Sequence, residues 1–267
     1  MHSAIHEIIN STENRVKELY KIKNNETPLE SFTPNTQKII DSILSKKQKG
    51  KAPIISEVKP ASPSMKIREI DPTEAKRIAT EMEKAGAVAI SVLTEPEFFE
   101  GSIDNLMAVR EEVSLPVLRK DFIIDKAQFD EVKSDLILLI AGLLNEKLEE
   151  FIQHARSKGF EPLVEVHNKE ELLNALDTSA RIIGINNRNL TTMQVDIATT
   201  EELIPIIKEH DRISDTEHLI ISESGVHDAD DVRRMISAGA DAILIGTTIV
   251  KNDDIYNKTK ELVDALE

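Results

Sequence analysis

The amino-acid sequence predicts an α/β protein, a closed (β/α)8 TIM barrel with an N-terminal helical extension, and three observations predict it. From residue 53 onward eight short, β-branched apolar runs recur, at 53–56, 89–93, 116–118, 136–141, 162–166, 181–185, 218–221 and 241–245. Each is followed by a longer charged segment with amphipathic spacing and room for a crossover helix, the pattern of parallel strands buried under helices. The junctions also echo one another: Ala85-Gly86-Ala87-Val88-Ala89-Ile90 matches Ala238-Gly239-Ala240-Asp241-Ala242-Ile243, and Ser157-Lys158-Gly159-Phe160 is a looser copy. Gly best tolerates the left-handed turn that closes a helix, so the echo marks a repeated helix-to-strand joint. Eight such units commonly close on themselves. A doubly wound open sheet is the rival, but it would usually carry a G-x-G-x-x-G turn after its first strand, and the sequence has none.

Ahead of the first strand, Ile5, Ile8, Ile9, Val16, Leu19 and Tyr20 fall at helical spacing, a break follows at Thr33-Pro34-Asn35, and Ile39, Ile40, Ile43 and Leu44 mark a second helix. Neither stripe has a core of its own to bury, so residues 1–48 read as a cap or brace on the barrel within a single domain, 1–267. No Pro/Ser/Gly-rich linker divides the chain. The acidic runs at 146–150 and 228–231 suit helix starts, where the macrodipole favours acids, and read as solvated faces. The crossover between Lys120 and Leu136 is short, which puts the length of the third helix in doubt.

Composition narrows the function. With 267 residues, 40% apolar content, 9 Gly and 10 Pro, collagen-like and disordered classes are excluded. Lys plus Arg at 33 against Asp plus Glu at 48 leave a net charge of −15, a surface that repels nucleic acid and anionic membranes. An anionic ligand must therefore be held by a local site. The absence of Cys removes disulfide, thiolate-metal and cysteine-nucleophile chemistry. The longest apolar run, 136–144, falls far short of the roughly 20 residues that span a bilayer, and the N-terminus does not resemble a secretory leader. A cytoplasmic protein is expected.

In a closed barrel the site lies at the C-terminal ends of the strands. Strand one ends Ser56-Glu57-Val58-Lys59, whose alternation puts Glu57 and Lys59 on one face. Strand three ends Leu118-Arg119-Lys120-Asp121-Phe122, strand five Val164-Glu165, strand six Ile185-Asn186-Asn187-Arg188, strand seven Ile221-Ser222-Glu223-Ser224-Gly225, and strand eight Ile245-Gly246-Thr247. Polar residues at so many strand ends point to a site and not to a solvated rim. Lys120, boxed by Leu118 and Phe122, is expected to be partly desolvated, with its pKa lowered toward working pH. Gly225, Gly246 and Thr247 could offer backbone N–H groups to a phosphate, with Gly permitting close approach and Lys59 supplying the nearest full charge. His167 shares a face with Glu165 but reads as a loop histidine. The other histidines show no pair at ligand spacing beside a carboxylate on one helical face, so no metal is expected.

Several stretches have a further resemblance. The segment Ile55-Ser56-Glu57-Val58-Lys59-Pro60-Ala61-Ser62-Pro63-Ser64 closely resembles the E-x-K-x-x-S-P signature of indole-3-glycerol-phosphate synthases. The likeness continues through Val92-Leu93-Thr94-Glu95-Pro96-Glu97-Phe98-Phe99-Glu100-Gly101-Ser102, Leu118-Arg119-Lys120-Asp121-Phe122-Ile123, Glu161-Pro162-Leu163-Val164-Glu165-Val166, Gly184-Ile185-Asn186-Asn187-Arg188-Asn189-Leu190, Ser222-Glu223-Ser224-Gly225-Val226 and Leu244-Ile245-Gly246. It covers the chain from about residue 33 to the end. The crossover before Leu136 lacks the family's Gly-Ala-Asp lead into strand four, and Thr247 stands where the family more often has Ser, which keeps the hydroxyl.

The resemblance implies a cofactor-free and metal-free enzyme of tryptophan biosynthesis. Its substrate would be 1-(2-carboxyphenylamino)-1-deoxyribulose 5-phosphate, closed to indole-3-glycerol phosphate with loss of carbon dioxide and water. By the same resemblance Lys120 is the general acid of ring closure, and Glu165, Glu57 and Lys59 serve dehydration, with the division between the two lysines left open. Asn186 and Ser224 match positions that hydrogen-bond substrate hydroxyls and the catalytic carboxylates. Arg188 and Ser62 match carboxylate and phosphate contacts, and Phe122, Gly225, Gly246 and Thr247 complete the substrate-binding set. The partner implied is a phosphorylated small molecule, with association with other tryptophan-pathway enzymes left open. Two alternatives are another phosphate-binding barrel enzyme, such as a phosphoribosylanthranilate isomerase, and a catalytically silent barrel scaffold.

Overall fold

A computed structural model describes residues 3–22 and 36–267, and in it all eight expected runs are parallel strands of one closed barrel. They are β1 (Ile54–Val58), β2 (Ala89–Leu93), β3 (Val117–Lys120), β4 (Leu136–Ile140), β5 (Glu161–Val166), β6 (Ile182–Asn186), β7 (Leu219–Glu223) and β8 (Ala242–Ile245). Neighbours in sequence are neighbours in the ladder, and β1 closes the ring, with Ile55 opposite Leu244 of β8 on one side and Ala89 of β2 on the other. Several strands run further toward their C-terminal ends than the apolar runs alone predict. The ladder therefore carries Glu57, Lys120, Asn186 and Glu223 as rigid strand residues instead of loop residues.

Strands buried on both faces need two apolar layers. Ile54, Val58, Ile90 and Val92 pack outward against α3 (Pro72–Lys84) and α4 (Ile103–Glu112). Ile55, Leu118, Leu138, Leu163, Ile221 and Leu244 point inward and fill the barrel. The helices start where short polar side chains cap them: Asp71 accepts from Glu74 N at 2.8 Å before α3, and Asp228 accepts from Asp230 N and Asp231 N before α9 (Ala229–Ala238). All three echoing glycines, Gly86, Gly159 and Gly239, are in the left-handed conformation the junction reading required.

The short third crossover is resolved in favour of no α-helix. Between β3 and β4 lies a single 3-10 turn, Lys126–Asp130, opened by a capping box in which Asp125 and Gln128 satisfy each other's backbone N–H groups. The acidic runs lie largely in solvent, with Glu146, Glu150, Asp228 and Asp230 exposed, and two further acids in them hold backbone groups. Glu149, in α6 (Leu148–Ser157), which follows the single-turn α5 (Ala141–Leu144), accepts from Ser179 N at 2.8 Å, and Asp231 accepts from His227 N.

Two helices precede β1, α1 (Ser3–Ile22) and α2 (Thr36–Gln48), and they take opposite ends of the barrel. Ile5 and Ile8 of α1 are buried with Phe122 and Ile140 at the C-terminal mouth, where Arg15 pairs with Asp121 at 2.7 Å and the Tyr20 hydroxyl donates to Asp125. Ile39 and Ile43 of α2 are buried in the same interior layer, and Lys47 of α2 pairs with Asp241 just before β8 begins. The expected break at 33–35 lies outside the described residues. Among the described residues no helix is long and apolar enough to cross a membrane.

Candidate active site

The C-terminal ends of the eight strands converge on the mouth, and most of them carry polar residues there, β4 with its apolar end at Ile140 being an exception. Two adjoining cavities there, of about 170 and 150 Å³, share Glu57, Lys59, Lys120, Arg188, Ser224 and Thr247 in their walls. The first also takes in Ser62, Phe122, Glu165 and Asn186, and the second Gly225 and Gly246, so every residue predicted from sequence borders one or the other. Ser62 reaches it from a small hairpin after β1, Ala61–Ser62 against Met65–Lys66.

At the centre is Lys120. Its Nζ lies 2.6 Å from Glu223 Oε2, 3.6 Å from Glu57 Oε1 and 3.8 Å from Glu165 Oε2, three carboxylates from three other strands. The expectation of a lowered lysine pKa is overturned by this cage. Burial does act to lower it, but Glu223, Glu57 and Glu165 outweigh burial and hold the ammonium well above its ordinary value. The same charges act in reverse on the acids. Glu57, fully buried, would be raised by burial, yet Lys59 and Lys120 bring it below the ordinary carboxylate value. Glu223 goes the other way: burial pushes it up, the charge of Lys120 only partly offsets that, and nearby Glu165 adds to the rise, to about 7.

Glu57 Oε1, Glu165 Oε2 and Glu223 Oε1 are buried and have no hydrogen-bond partner among the described residues. Such atoms cost folding free energy, about 1–3 kcal/mol each, and they mark a site built to receive donors from something else.

Lys59 pairs with Glu57 Oε2 at 3.4 Å and lies 5.6 Å above the Phe99 ring, which packs at 6.0 Å from Phe122 to make an aromatic wall. Phe99 is placed by Glu95, whose buried carboxylate accepts the N–H groups of Glu97, Phe98 and Phe99. Ser224 has a left-handed φ of 66°, a conformation costing about 1–3 kcal/mol for a side-chain residue, and Asn187 Nδ2 steadies it by donating to its carbonyl at 3.0 Å. Asn186 Oδ1 accepts from Arg188 N, while Arg188 Nη1 donates to Met193 O, so the guanidinium is anchored at the pocket's edge.

The two glycines assigned to phosphate approach also make room for neighbouring side chains. A Cβ on Gly246 would stand 2.3 Å from Glu57 Oε2, and one on Gly225, already at φ 86°, would meet Val195 and Ile197 at 2.6 and 2.8 Å. Gly184 does for Glu223 what Gly246 does for Glu57: a Cβ there would come within 2.2 Å of Glu223 Oε1.

Sequence reasoning missed Glu223 and misjudged His167. Glu223 follows Ile221 by two residues on β7, and since Ile221 faces inward the alternation was signal enough. His167 is no free loop residue. Its side chain is 3% exposed, with Nε2 3.1 Å from Glu165 Oε1 and Nδ1 2.9 Å from Glu171 Oε2. Burial works to lower its pKa, but the two carboxylates raise it to about 9. For Glu165, burial acts upward and the cations His167 and Lys120 more than reverse it, to about 2. The histidine survey also misses a grouping at the other end of the barrel. His210 and Asp211 of α8 (Ala198–Ser214) meet His218 just before β7, with ligand atoms within 4.8 Å of one another. Asp211 accepts from His218 N at 3.0 Å and pairs with His218 Nδ1, which ties the helix end to the strand start.

Fold and site together define the class, a (β/α)8-barrel enzyme equipped for acid–base chemistry on a small anionic molecule. The chain belongs to the indole-3-glycerol phosphate synthase family, whose model matches residues 5–262. It is 40% identical over 228 residues to the indole-3-glycerol phosphate synthase of Methanocaldococcus jannaschii, covering 84% of this chain and 82% of that one. It is 45% identical over 215 residues to that of Aquifex aeolicus, covering 79% and 80%, and 40% identical over 260 residues to that of Bacillus cereus strain B4264, covering 96% of each. A crystal structure of (S)-3-O-geranylgeranylglyceryl phosphate synthase from Thermoplasma acidophilum, with sn-glycerol-1-phosphate, superimposes with a TM-score of 0.56 at 18% identity over 85% of this chain and 97% of that one. At that identity the likeness speaks for the fold alone.

Proposed function

We propose that the caged Lys120 drives the family's ring closure, turning 1-(2-carboxyphenylamino)-1-deoxyribulose 5-phosphate into indole-3-glycerol phosphate. The observation that carries this reading is the position of one buried ammonium among three carboxylates at the floor of the cavity. Attack of the carboxyl-bearing aromatic carbon on the ketone forms the carbon–carbon bond and puts negative charge on the ketone oxygen. Lys120, held protonated, stabilises that charge and gives the oxygen its proton; an alkoxide is a stronger base than any group in the cage, so the high pKa of Lys120 does not prevent transfer. Carbon dioxide then leaves and the ring regains aromaticity. In the last step Lys59 gives a proton to the new hydroxyl, which departs as water, while the adjacent carbon gives a proton to Glu165 Oε2, an oxygen with no hydrogen-bond partner of its own among the described residues. Glu57 and Lys59 act as an oriented pair on the leaving hydroxyl. Asn186 and Ser224 hold substrate hydroxyls and the carboxylates, Arg188 and Ser62 meet the carboxylate and phosphate ends, and Phe122 covers the aromatic ring.

The phosphate sits in the second cavity, against Gly225, Gly246 and Thr247, with Lys59 as the nearest full charge. A protein of net charge −15 must capture a dianion in this local way. Residues 1–48 belong to the same domain as the barrel in this reading. Cytoplasmic location belongs to it too, as does association with other tryptophan-pathway enzymes, which co-sedimentation with those enzymes would test. For the reaction itself, purified protein is mixed with the carboxyphenylamino substrate and indole fluorescence is followed; no rise over buffer would reject the reading.

A further inference from the structure

We propose that His167, clamped by Glu171, is the positioning residue of Glu165: it holds Oε1 of that carboxylate and leaves Oε2 turned to the cavity. The inference rests on the role given to Glu165 above and goes beyond it, to residues that touch no substrate.

The geometry is a chain of three side chains leading outward from the cage. Glu165 Oε1 is 3.1 Å from His167 Nε2, too oblique for a full hydrogen bond, so the contact acts as charge against charge. His167 Nδ1 meets Glu171 Oε2 at 2.9 Å, and the same oxygen accepts the His167 backbone N–H at 2.9 Å. Glu171 Oε1 accepts from Asn168 Nδ2 at 2.8 Å, so both its oxygens are tied. Glu171 lies in the first turn of α7 (Lys169–Leu176) and holds this position because residue 142 is Gly: a Cβ there would stand 2.7 Å from its Oε1 and 2.9 Å from its Cδ, so the carboxylate would have to shift.

This arrangement determines the protonation of the ring. With Nδ1–H given to Glu171, a neutral imidazole would turn the Nε2 lone pair on the Glu165 carboxylate, and only the imidazolium satisfies both acids. Glu165 is faced by Lys120 from β3, by Glu223 from β7 and by Asn186 from β6, with Glu57 on the far side of Lys120. Of these Lys120 is shared among three carboxylates, whereas His167 serves Glu165 alone on the cavity side. Removing the imidazolium leaves burial to push Glu165 upward, so activity that needs its carboxylate is lost as pH falls, over a range where the wild type keeps it.

The test avoids cutting into the cage. Glu171→Gln keeps an acceptor for Nδ1 without the charge, Gly142→Ala displaces Glu171 with one methyl group and removes no titratable group, and His167→Gln removes the ring. His167→Gln should lower kcat by roughly 10²-fold with KM near that of the wild type. The two indirect variants should show smaller losses and the same acid-side shift, over and above the Glu223 titration common to all. Imidazole ¹⁵N shifts supply a second readout: His167 stays an imidazolium up to about pH 9 in the wild type and titrates nearer the ordinary value of 6.5 in Gly142→Ala. Glu165→Gln is measured alongside. If it turns over like the wild type, Glu165 is not the base and the proposal falls with that role. If it is inactive while Gly142→Ala and Glu171→Gln lose the imidazolium yet keep wild-type kcat and acid profile, the proposal alone is overturned.

Discussion

The two ends of the barrel are made from the same eight strands and solve opposite problems. At the N-terminal end α2 seats Ile39 and Ile43 against inward-facing residues such as Leu136 and Ala242 and closes the interior with apolar contact. At the C-terminal end the inward positions carry Glu57, Lys120, Glu165 and Glu223, and α1 covers only part of them, with Ile5 in the cavity wall and Arg15 tied to the buried Asp121. One end gains stability by excluding water from hydrocarbon. The other gives some of it up by burying charges whose oxygens wait for partners. Stability and chemistry thus have separate addresses, and substitutions should separate them.

The largest effect is expected at the charged end. Lys120→Ala should cut turnover by about 10² to 10⁴-fold, the usual worth of a general acid, with far-ultraviolet circular dichroism unchanged; a variant keeping more than half the wild-type rate would end the role given to Lys120. At the sealed end the sign reverses. Ile43→Ala should cost about 2–5 kcal/mol in a denaturant titration and leave kcat/KM at 25 °C alone, and a matching loss of rate would show that the two ends are mechanically joined. Gly246→Ala is a smaller, sharper probe. Because its Cβ points at Glu57, kcat should drop by roughly tenfold through misplacement of that acid, while the backbone N–H stays beside the phosphate and inorganic sulfate inhibits as before; weakened sulfate inhibition would show that the methyl group intrudes on the phosphate instead. The smallest effect is thermodynamic. Glu223, raised to about 7 from an ordinary 4.5, binds its proton more tightly in the folded chain, so its contribution is full below pH 4.5 and is lost as pH rises through 7. In Glu223→Gln the fall of Tm between those values should flatten, and an unchanged slope would mean that Glu223 titrates normally.

The barrel was legible because its signals are local: an apolar run, a glycine joint and a capping residue each occupy a few adjacent positions. The same holds for the rim of the site, since Glu57, Lys120, Glu165 and Asn186 announce themselves at strand ends. What stayed hidden depends on which side chains meet across the barrel. The pKa direction of Lys120 follows from partners as distant as Glu223, 103 residues along the chain. The gathering of His210, Asp211 and His218 needs the turn between α8 and β7 to be drawn before it can be seen. The helical extension read as one cap, although its two helices serve opposite ends. His167 looked bland because its importance lies in Glu171, Asn168 and Gly142, none of which carries a chemical signal of its own.

The glycines beneath the carboxylates make the site a set of matched lengths. Gly184 with Glu223, Gly246 with Glu57 and Gly142 with Glu171 each join a missing methyl to an acid that fills its place. Neither member can then drift alone: a side chain gained at 184 demands a shorter acid at 223, so Gly184→Ala should damage the enzyme less when coupled to Glu223→Asp than by itself. Heritable variation at this mouth would accordingly travel in pairs, and a designer wishing to move a carboxylate by one methylene would begin by editing the residue that has no side chain.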